Sequence, residues 1–381
     1  MPAPALTLVE RINRPGPKRL LALDGGGIRG LISVEVLAAI EDQLRQRLRA
    51  GPDFVLADYF DYIAGTSTGG IIAALLSLGF PVSRIRDFYL QNGREMFRYG
   101  WAPWLWIRSI YRGGTLGVTL REILGADTTL GSERLRTLLL LVMRNASTDS
   151  PWPISNNPAA KFNAADMDGC NLDLPLWQLV RASAAAPVFF EPEVVRVGSN
   201  TFSFVDGGVT SYNNPAFLLF LMATLGPYNL GWRVGEQQLL LVSVGTGEKV
   251  SLGAATNLAT AGKSTLENLL SASLVEQDIL CRIFGRCVEG EPIDTELGDL
   301  MDPDAVPFAK SFTYVRYNTK LTRTALDALG LPDIRPKHVA KLDEVRHIAD
   351  LQRVGRAVAE RYVRPSHFAG FDVGTTTAVG A

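Results

Sequence analysis

The sequence predicts an α/β fold with a largely parallel sheet, and three observations support this prediction. Short apolar runs that suit buried strands recur along the chain, as at 138–143 and 239–244. Segments with apolar residues at helical spacing lie between such runs. The 381 residues are 47% hydrophobic and 20% charged, which is enough apolar sequence for a substantial core. Alternation of this kind is typical of a sheet with helices on its faces.

Composition along the chain predicts three segments. Residues 1–17 carry four prolines and are predicted to form a flexible leader. Residues 18–325 contain the alternating strands and helices and are predicted to form the main domain. From about residue 250 the strand pattern weakens into helices, and residues 326–381 are predicted to be a helical C-terminal extension with a frayed tail.

Charge and cysteine content exclude several classes of protein. The formal net charge is −1, so no global field attracts nucleic acid. The three cysteines, Cys170, Cys281 and Cys287, form no CxxC pair and indicate free thiols in a reducing compartment. There is no signal-peptide pattern and no run of about 18 apolar residues. We therefore expect a cytoplasmic protein that touches membranes without crossing them.

The first predicted strand, 18–23, leads into a glycine-rich motif and then a helix. The motif is Asp24-Gly25-Gly26-Gly27-Ile28-Arg29-Gly30. Consecutive glycines between a strand and a helix expose backbone N–H groups to an anionic group. The Gly25-x-Gly27-x-x-Gly30 spacing suits a dinucleotide phosphate, but the aspartate and the third consecutive glycine suit an oxyanion hole better.

The second motif is Gly65-Thr66-Ser67-Thr68-Gly69, between an apolar strand and an apolar helix. This is the context of a nucleophile elbow, in which the serine backbone is strained. Glycine two residues before and after the serine lets strand and helix approach each other. Ser67 would then lie at the positive end of the helix. The pentapeptide alone is a weak signal, because an ordinary turn can have the same pattern.

The third motif, Asp206-Gly207-Gly208, ends a predicted strand at 202–205. An aspartate at this position is an acid at the edge of a sheet, although Asp-Gly is also a common turn pair. Because desolvation raises the pKa of a carboxylate, Asp206 in a dry site could accept a serine proton directly.

A histidine base is the alternative for the proton transfer. The chain order Ser67, Asp206, His matches an α/β-hydrolase esterase with a Ser-Asp-His triad. The three histidines, His338, His347 and His367, all come late in the chain. His338 and His347 lie in charged stretches typical of a solvated surface, which favours the aspartate as base.

Two further segments suggest interactions. Trp101, Trp104 and Trp106 alternate with arginines between 97 and 112, a composition that suits a membrane interface or a hydrophobic lid, or else a loop packed on the core.

The segment Gly262-Lys263-Ser264-Thr265 matches the end of a P-loop, and a non-catalytic nucleotide-binding or scaffold protein is a third hypothesis. However, the first glycine of a P-loop would fall at Asn257, so the segment favours a capping box opening a helix at 266–284.

Together, the three motifs in this order resemble the patatin-like phospholipase family, in particular its bacterial stand-alone members. Supporting segments are the run 181–190, Asn213-Asn214-Pro215, and Ser243-Val244-Gly245-Thr246-Gly247. The resemblance covers about residues 18–250. It implies a three-layer patatin-like fold with a mainly parallel central sheet flanked by helices, and it identifies 18–325 as the patatin-like domain.

The resemblance also implies a function, a lipid acyl hydrolase of the phospholipase A type that acts on membrane phospholipid without a metal or other cofactor. Ser67 would be the nucleophile and Asp206 its base, with an acyl-serine intermediate. The backbone of Gly25, Gly26 and Gly27 would be the oxyanion hole, and the supporting motif residues would be Arg29, Gly30, Gly65, Gly69, Gly207 and Gly208. Similar enzymes act in bacterial antiviral defence when a cyclic nucleotide binds, so we expect such an activator, although no residue identifies its site. Membrane contact is expected through Trp101, Trp104 and Trp106.

Overall fold

The computed structural model describes residues 6–97, 112–187, 190–249, 258–302 and 306–372. Its helices are α1 (Leu8–Asn13), α2 (Gly30–Arg47), α3 (Leu56–Tyr59), α4 (Thr68–Ser77), α5 (Val82–Met96), α6 (Arg112–Leu124), α7 (Leu176–Ser183), α8 (Ala216–Thr224), α9 (Leu258–Phe284), α10 (Arg323–Ala328), α11 (Pro336–Val339) and α12 (Ile348–Tyr362). Its strands are β1 (Lys18–Leu23), β2 (Tyr62–Thr66), β3 (Leu138–Asn145), β4 (Ser150–Ser155), β5 (Glu193–Val197), β6 (Asn200–Asp206), β7 (Leu239–Val244), β8 (Gly285–Glu289) and β9 (Phe312–Tyr317).

These strands form one sheet, in the order β5-β6-β3-β2-β1-β7-β9-β8, with β4 also paired to β3. The six strands from β3 to β8 in this order are parallel to their neighbours. Strands β4, β5 and β6 pair antiparallel. The predicted α/β class with a mainly parallel central sheet is confirmed.

Apolar residues on both faces of the sheet explain its burial. Within β1, Leu21 and Leu23 belong to one buried cluster, which includes residues of α2, α4 and α12. Leu20 and Ala22 belong to a second cluster, which includes residues of α8 and Cys281 of α9. Since successive side chains of a strand point to opposite faces, helices cover the sheet on both sides. The predicted three-layer arrangement is therefore present.

The pairing around β3 determines where two motifs meet. Strand β4 pairs with β3 from Leu140 to Asn145, so it occupies one edge of β3. Strands β2 and β6 must then share the other edge. Along that edge β2 ends with Thr66 beside Val142, and β6, which runs in the opposite direction, ends with Asp206 beside Met143. The two strands thus end facing each other, at consecutive positions of β3.

The predicted flexible leader is wrong for part of its length. Residues 8–13 form α1, which begins with a capping box between Thr7 and Glu10. Arg11 of α1 is buried and donates a hydrogen bond to the Phe60 carbonyl at 3.0 Å. Lys18 also donates to three carbonyls of the segment, those of Arg11, Ile12 and Arg14. These contacts fix the helix against the domain.

The expectations for the second half of the chain also need correction. Strands β8 and β9 extend the sheet, so the strand pattern does not end near residue 250. The predicted boundary after residue 325 falls inside α10. Helix α12 is not peripheral, because it crosses α2 so closely that a Cβ on Gly355 would lie 2.8 Å from the Ile32 carbonyl oxygen. The predicted frayed tail begins at Phe371, but Phe371 is buried and Asp372 pairs with Arg47 at 2.6 Å. The rest of that tail, 373–381, lies outside the described residues.

The segment that suggested nucleotide binding does not have the structure of a P-loop. Helix α9 already begins at Leu258, so Gly262 to Thr265 lie inside a helix rather than in a loop between a strand and a helix. The predicted capping box at Ser264 is wrong for the same reason.

In the part of the chain that the structure describes, no helix has the length and hydropathy needed to span a membrane. The predicted tryptophan-rich lid, with Trp101, Trp104 and Trp106, lies outside the described residues.

Candidate active site

Ser67 occupies the sharp turn between β2 and α4, with φ 57° and ψ −123°. A positive φ is uncommon for a residue other than glycine, and the strain that was predicted for the elbow is present. The flanking glycines are required by close backbone approach. A Cβ on Gly65 would lie 2.1 Å from the Gly69 carbonyl oxygen, and one on Gly69 would lie 2.2 Å from the Leu23 carbonyl oxygen. Any larger residue at these positions would push α4 away from the sheet.

The turn is also held by Ser183 of α7, a role that the sequence did not reveal. The Ser67 amide donates to the Ser183 hydroxyl oxygen at 3.0 Å, and the Ser183 hydroxyl donates to the Val142 carbonyl at 2.6 Å. Val142 is the residue of β3 beside which β2 ends. Ser183 therefore ties the elbow to the central strand.

The Ser67 hydroxyl donates to the Asp206 carboxylate, with Oγ 2.6 Å from Oδ2. The other carboxylate oxygen, Oδ1, accepts the Gly208 amide at 2.7 Å. Gly207 is needed for the chain to turn here, because a Cβ on it would lie 2.2 Å from the Val142 carbonyl oxygen. The second and third sequence motifs thus form one hydroxyl–carboxylate pair.

The environment of Asp206 makes its carboxylate more basic than an ordinary aspartate. Burial raises the pKa of Asp206 to about 6, against the opposing effect of its hydrogen bonds to Ser67 and Gly208. No described arginine or lysine contacts this carboxylate. A buried carboxylate without a cationic partner is suited to accept a proton.

The glycine-rich loop lies beside Ser67, because β1 and β2 are adjacent strands. Two of its amides are already occupied: Gly25 donates to the Asn213 carbonyl and Ile28 donates to the Leu342 carbonyl, both at 3.0 Å. Among the described residues, no acceptor is found for the amides of Gly26 and Gly27. Of the three glycines expected to form an oxyanion hole, Gly25 has an occupied amide, and the amides of Gly26 and Gly27 are available to a ligand.

The other motif residues brace this loop. The Arg29 side chain donates to the Gly26 carbonyl at 3.4 Å and to the Ala340 carbonyl at 3.3 Å. Gly30 begins α2 against the elbow, since a Cβ on it would lie 2.5 Å from Thr68 Oγ1. Gly27 has φ +60° and contacts the Leu342 carbonyl. A segment near residue 340 therefore supports a loop that begins at residue 24.

A pocket opens above Ser67 and Asp206. Besides the glycine loop, its lining is mainly apolar and consists of Phe97, Leu116, Ala184, Ala186, Pro187, Phe190, Val209 and Leu342, with Arg29 and Asn213. A hydroxyl, a carboxylate and free amides at the base of an apolar pocket can accommodate an ester with a hydrocarbon chain.

Asp24, the first residue of the glycine motif, has a structural partner that lies beyond the range of the sequence resemblance. Arg316 of β9 forms a bidentate ion pair with it, at 2.9 Å to Oδ1 and 2.6 Å to Oδ2. Arg316 also donates to the Ser243 hydroxyl at 2.7 Å. Although burial alone would lower it, the Asp24 carboxylate raises the pKa of Arg316. The available signal was an arginine inside a buried strand, where charge is found only when it is paired.

The histidines do not join Ser67 and Asp206. His367 is buried and hydrogen-bonded to the Tyr317 hydroxyl at 2.7 Å. His338 and His347 lie beside Asp350, near α11 and α12. None of the three histidines makes a hydrogen bond to Ser67 or Asp206. All five residues are among those that the structure describes. The Ser-Asp-His triad of the alternative hypothesis is not formed.

Comparison with known proteins agrees with the motifs. Residues 21–220 match the model of the patatin-like phospholipase family. The chain belongs to this family. Patatin group M-3 of Solanum tuberosum is 31% identical over 246 residues, covering 60% of this chain and 60% of that protein, and patatin-15 of the same plant is 32% identical over the same coverage. The chain thus aligns with 60% of the length of these curated relatives.

The solved structures to which this patatin-like chain is similar have lower sequence identity to it. Human GIVD cytosolic phospholipase A2 is 13% identical, with 92% of this chain and 60% of that chain covered at a TM-score of 0.42. VipD from Legionella pneumophila is 14% identical, with 89% and 67% covered at a TM-score of 0.37. At these scores the family assignment depends on the sequence comparisons alone.

The Asp24–Arg316 ion pair leads to a stability prediction. Replacing Arg316 with methionine leaves a buried carboxylate unpaired, so we expect the free energy of unfolding to fall by about 3–5 kcal/mol. Urea unfolding monitored by circular dichroism measures this difference.

The matched control is Arg286→Met, which removes an exposed ion pair with Glu236 and should cost about 1 kcal/mol or less. The double variant with Asp24→Asn and Arg316→Met should recover part of the lost stability, because neither charge is then left alone. Equal losses in Arg316→Met and Arg286→Met would contradict the structural role of the pair.

Proposed function

We propose that this chain is a serine lipid acyl hydrolase of the phospholipase A type. The observation that supports it best is the contact of 2.6 Å between the Ser67 hydroxyl and the buried Asp206 carboxylate, beside the amides of Gly26 and Gly27, for which the described residues offer no acceptor. Membership of the patatin-like phospholipase family agrees with this chemistry. The arrangement contains a nucleophile, a base and donors for an oxyanion, which are the groups that acyl transfer needs.

In the acylation half of the proposed reaction, Ser67 Oγ attacks the ester carbonyl carbon while Asp206 Oδ2 takes the hydroxyl proton. The carbonyl oxygen becomes an oxyanion, which accepts hydrogen bonds from the amides of Gly26 and Gly27. The positive end of α4 adds to this stabilisation. When the tetrahedral intermediate collapses, the alcohol leaves with the proton from Asp206 and the acyl group stays on Ser67.

Deacylation repeats these steps with water. Asp206 takes a proton from the water as its oxygen attacks the acyl carbon, and the same two amides bind the oxyanion. Collapse releases the fatty acid, and Ser67 Oγ recovers its proton from Asp206. A single carboxylate can serve both halves because its raised pKa lets it accept and return the proton.

The apolar lining of the pocket supports a lipid substrate. Phe97, Leu116, Pro187 and Phe190 provide hydrocarbon surface next to the reacting groups. A long acyl chain gains free energy by leaving water for such a surface. We propose membrane phospholipid as the substrate, by analogy with the name of the family.

The catalytic pair leads to a prediction on activity. Ser67→Ala and Asp206→Asn should each reduce the hydrolysis of a soluble short-chain ester by more than about 10³-fold, because the two groups act as a unit. The measurement is the release of the carboxylic acid, followed by chromatography.

The matched control is Ser77→Ala, which removes a buried hydroxyl at the other end of α4 and should leave the rate near normal. His338→Ala, His347→Ala and His367→Ala should also retain activity. If loss of a histidine abolished hydrolysis, that result would support the Ser-Asp-His triad instead. If the wild-type chain hydrolysed no ester, that result would support the hypothesis of a non-catalytic scaffold protein.

The raised pKa of Asp206 predicts a pH dependence. The carboxylate must be ionised to take the serine proton, so activity requires a pH above about 6, and kcat/KM should fall about tenfold per unit below it. Burial is the main cause of the shift. A rate profile that stayed flat down to pH 4.5, in a protein still folded by circular dichroism, would show that Asp206 is not the titrating base.

We propose that residues 98–111 mediate peripheral membrane contact of a cytoplasmic protein. Phe97 and Leu116, which flank this segment in the sequence, both line the pocket. Tryptophan and arginine are favoured at the headgroup level of a bilayer. Binding of this segment to a bilayer would bring the protein to its proposed substrate.

Replacing Trp101, Trp104 and Trp106 together with alanine tests this proposal. Hydrolysis of phospholipid in anionic vesicles should fall at least about tenfold, while hydrolysis of a soluble ester changes little, because only the first depends on interfacial binding. Vesicle co-sedimentation provides the binding measurement. Equal loss of both activities, with a lower Tm, would instead indicate tryptophans packed in the core.

Control by a cyclic nucleotide in antiviral defence remains a prediction from the family resemblance. A cytoplasmic phospholipase without a gate would damage the membrane of its own cell, which is the argument for one. The test compares vesicle hydrolysis by the wild-type chain with and without a panel of cyclic di- and trinucleotides. A rate increase with one of them would support the gate, and full activity without any of them would exclude it.

A further inference from the structure

A cluster of two histidines and an aspartate lies outside the catalytic pocket. His338 of α11 stacks on His347, just before α12, with ring centroids 3.7 Å apart and planes at 10°. Both Nδ1 atoms face one oxygen of Asp350, with Oδ2 at 3.3 Å from His347 and 3.7 Å from His338. Within the described ranges, this is the one group of three histidine, cysteine or acidic side chains whose ligand atoms lie within 4.8 Å of one another.

The two distances to Asp350 Oδ2 are close to those between the ligand atoms of a tetrahedral metal ion. Zinc bonds of about 2.0–2.1 Å to nitrogen and oxygen place neighbouring ligand atoms about 3.3–3.4 Å apart. The Asp350–His347 separation of 3.3 Å already has this value, and the Asp350–His338 separation is 3.7 Å. The two rings are stacked with planes at 10°, however, and an ion lies in the plane of each imidazole that binds it, so both rings must rotate before they can share one ion. Metal binding would therefore reorient the two partly exposed imidazole rings.

The ligand types indicate which ion would bind. Two imidazole nitrogens and one carboxylate oxygen suit zinc and similar divalent transition metals rather than calcium or magnesium. The side chains are 24%, 31% and 23% exposed for His338, His347 and Asp350, so a fourth ligand could be water. Arg353 lies 3.8 Å from Asp350 Oδ1, which leaves Oδ2 directed at the histidines.

The chain between the two histidines contacts the glycine-rich loop. Its Leu342 carbonyl accepts the Ile28 amide at 3.0 Å, and its Ala340 carbonyl accepts the Arg29 side chain at 3.3 Å. A Cβ on Gly27 would lie 2.3 Å from the Leu342 oxygen, so the segment contacts the backbone of the loop directly. Joining His338 to His347 would fix both ends of this segment.

We propose that His338, His347 and Asp350 bind a zinc-class divalent ion, which holds residues 338–347 against the Gly26–Ile28 backbone. The ion takes no part in the proposed Ser67–Asp206 chemistry, and its binding does not depend on that proposal. Its effect is conformational: it makes opening of the Leu342–Ile28 contact rarer.

Zinc binding and amide exchange test the proposal in the full-length chain. After dialysis against a chelator, Zn²⁺ is titrated by calorimetry into wild type, Ser67→Ala, His347→Ala and Asp350→Asn. We expect one equivalent to bind to wild type and Ser67→Ala, and at least about tenfold weaker binding in the other two. Hydrogen-exchange mass spectrometry should show slower exchange over 26–28 and 339–345 on zinc addition, together with a higher Tm.

The matched control is Asp333→Asn. Asp333 also pairs with Arg353, at 2.6 Å, but does not belong to the cluster, so this variant should bind zinc like wild type. Circular dichroism of each metal-free variant shows whether it is folded before the titration. The metal site would be overturned if wild type bound no zinc at about 100 μM Zn²⁺, a concentration that as a Kd would correspond to a binding free energy of about −5 to −6 kcal/mol. Equal binding by Asp350→Asn and Asp333→Asn would also overturn it. Binding without slower exchange over 339–345 would overturn the clamp. Each of these readouts is independent of ester hydrolysis, so loss of the proposed function would not be mistaken for loss of the metal site.

Discussion

The strained backbone of Ser67 is the constraint on which the site depends. A residue at φ 57° persists only where the surrounding structure fixes it, and here three contacts do so. Gly65 and Gly69 let β2 and α4 approach to a distance that excludes any side chain. Ser183 then holds the Ser67 amide. The hydroxyl is thereby presented at the start of α4, and the remaining groups are arranged around that fixed point.

Strand order explains why Asp206 meets this hydroxyl. Two parallel strands on the same edge of β3 could not end facing each other, but β6 runs antiparallel and stops one residue beyond the point where β2 stops. Asp206 therefore leaves the sheet directly opposite Ser67. The motif Asp-Gly-Gly follows from this geometry, because the chain must then turn across the Val142 carbonyl, where only glycine fits.

Two buried aspartates at strand ends differ in their surroundings, and this difference separates their roles. Burial raises the pKa of Asp24 as well, but the guanidinium of Arg316 faces this carboxylate, opposes the rise and favours the ionised form. Among the described residues, the donors to Asp206 are neutral, the Ser67 hydroxyl and the Gly208 amide, and burial raises its pKa to about 6. A cation beside Asp206 would hold it ionised and weakly basic. The absence of one among its described contacts is what suits it to proton transfer.

Sequence patterns predicted the parts of the site that are local in the chain. The elbow around Ser67, the strand before Asp24 and the strand ending at Asp206 each have a contiguous signature, and β7 was predicted with its observed bounds. Contacts between distant segments had no such signature. Arg316 could be suspected only as a charge within an apolar strand, and the pairing of the Leu342 carbonyl with the Ile28 amide leaves no trace in residue type.

Contacts between segments that are distant in the chain also determine the shape of the glycine-rich loop. Its amides at Gly25 and Ile28 are occupied by carbonyls of Asn213 and Leu342, and the Thr246 hydroxyl donates to the Gly25 carbonyl at 3.0 Å. The two amides between them, those of Gly26 and Gly27, have no acceptor among the described residues, and both glycines line the pocket. Two of these three partners lie beyond residue 220, where the match to the family model ends. Backbone carbonyls rather than particular side chains hold the loop at Leu342 and Asn213, which explains why these contacts have no signature in residue type.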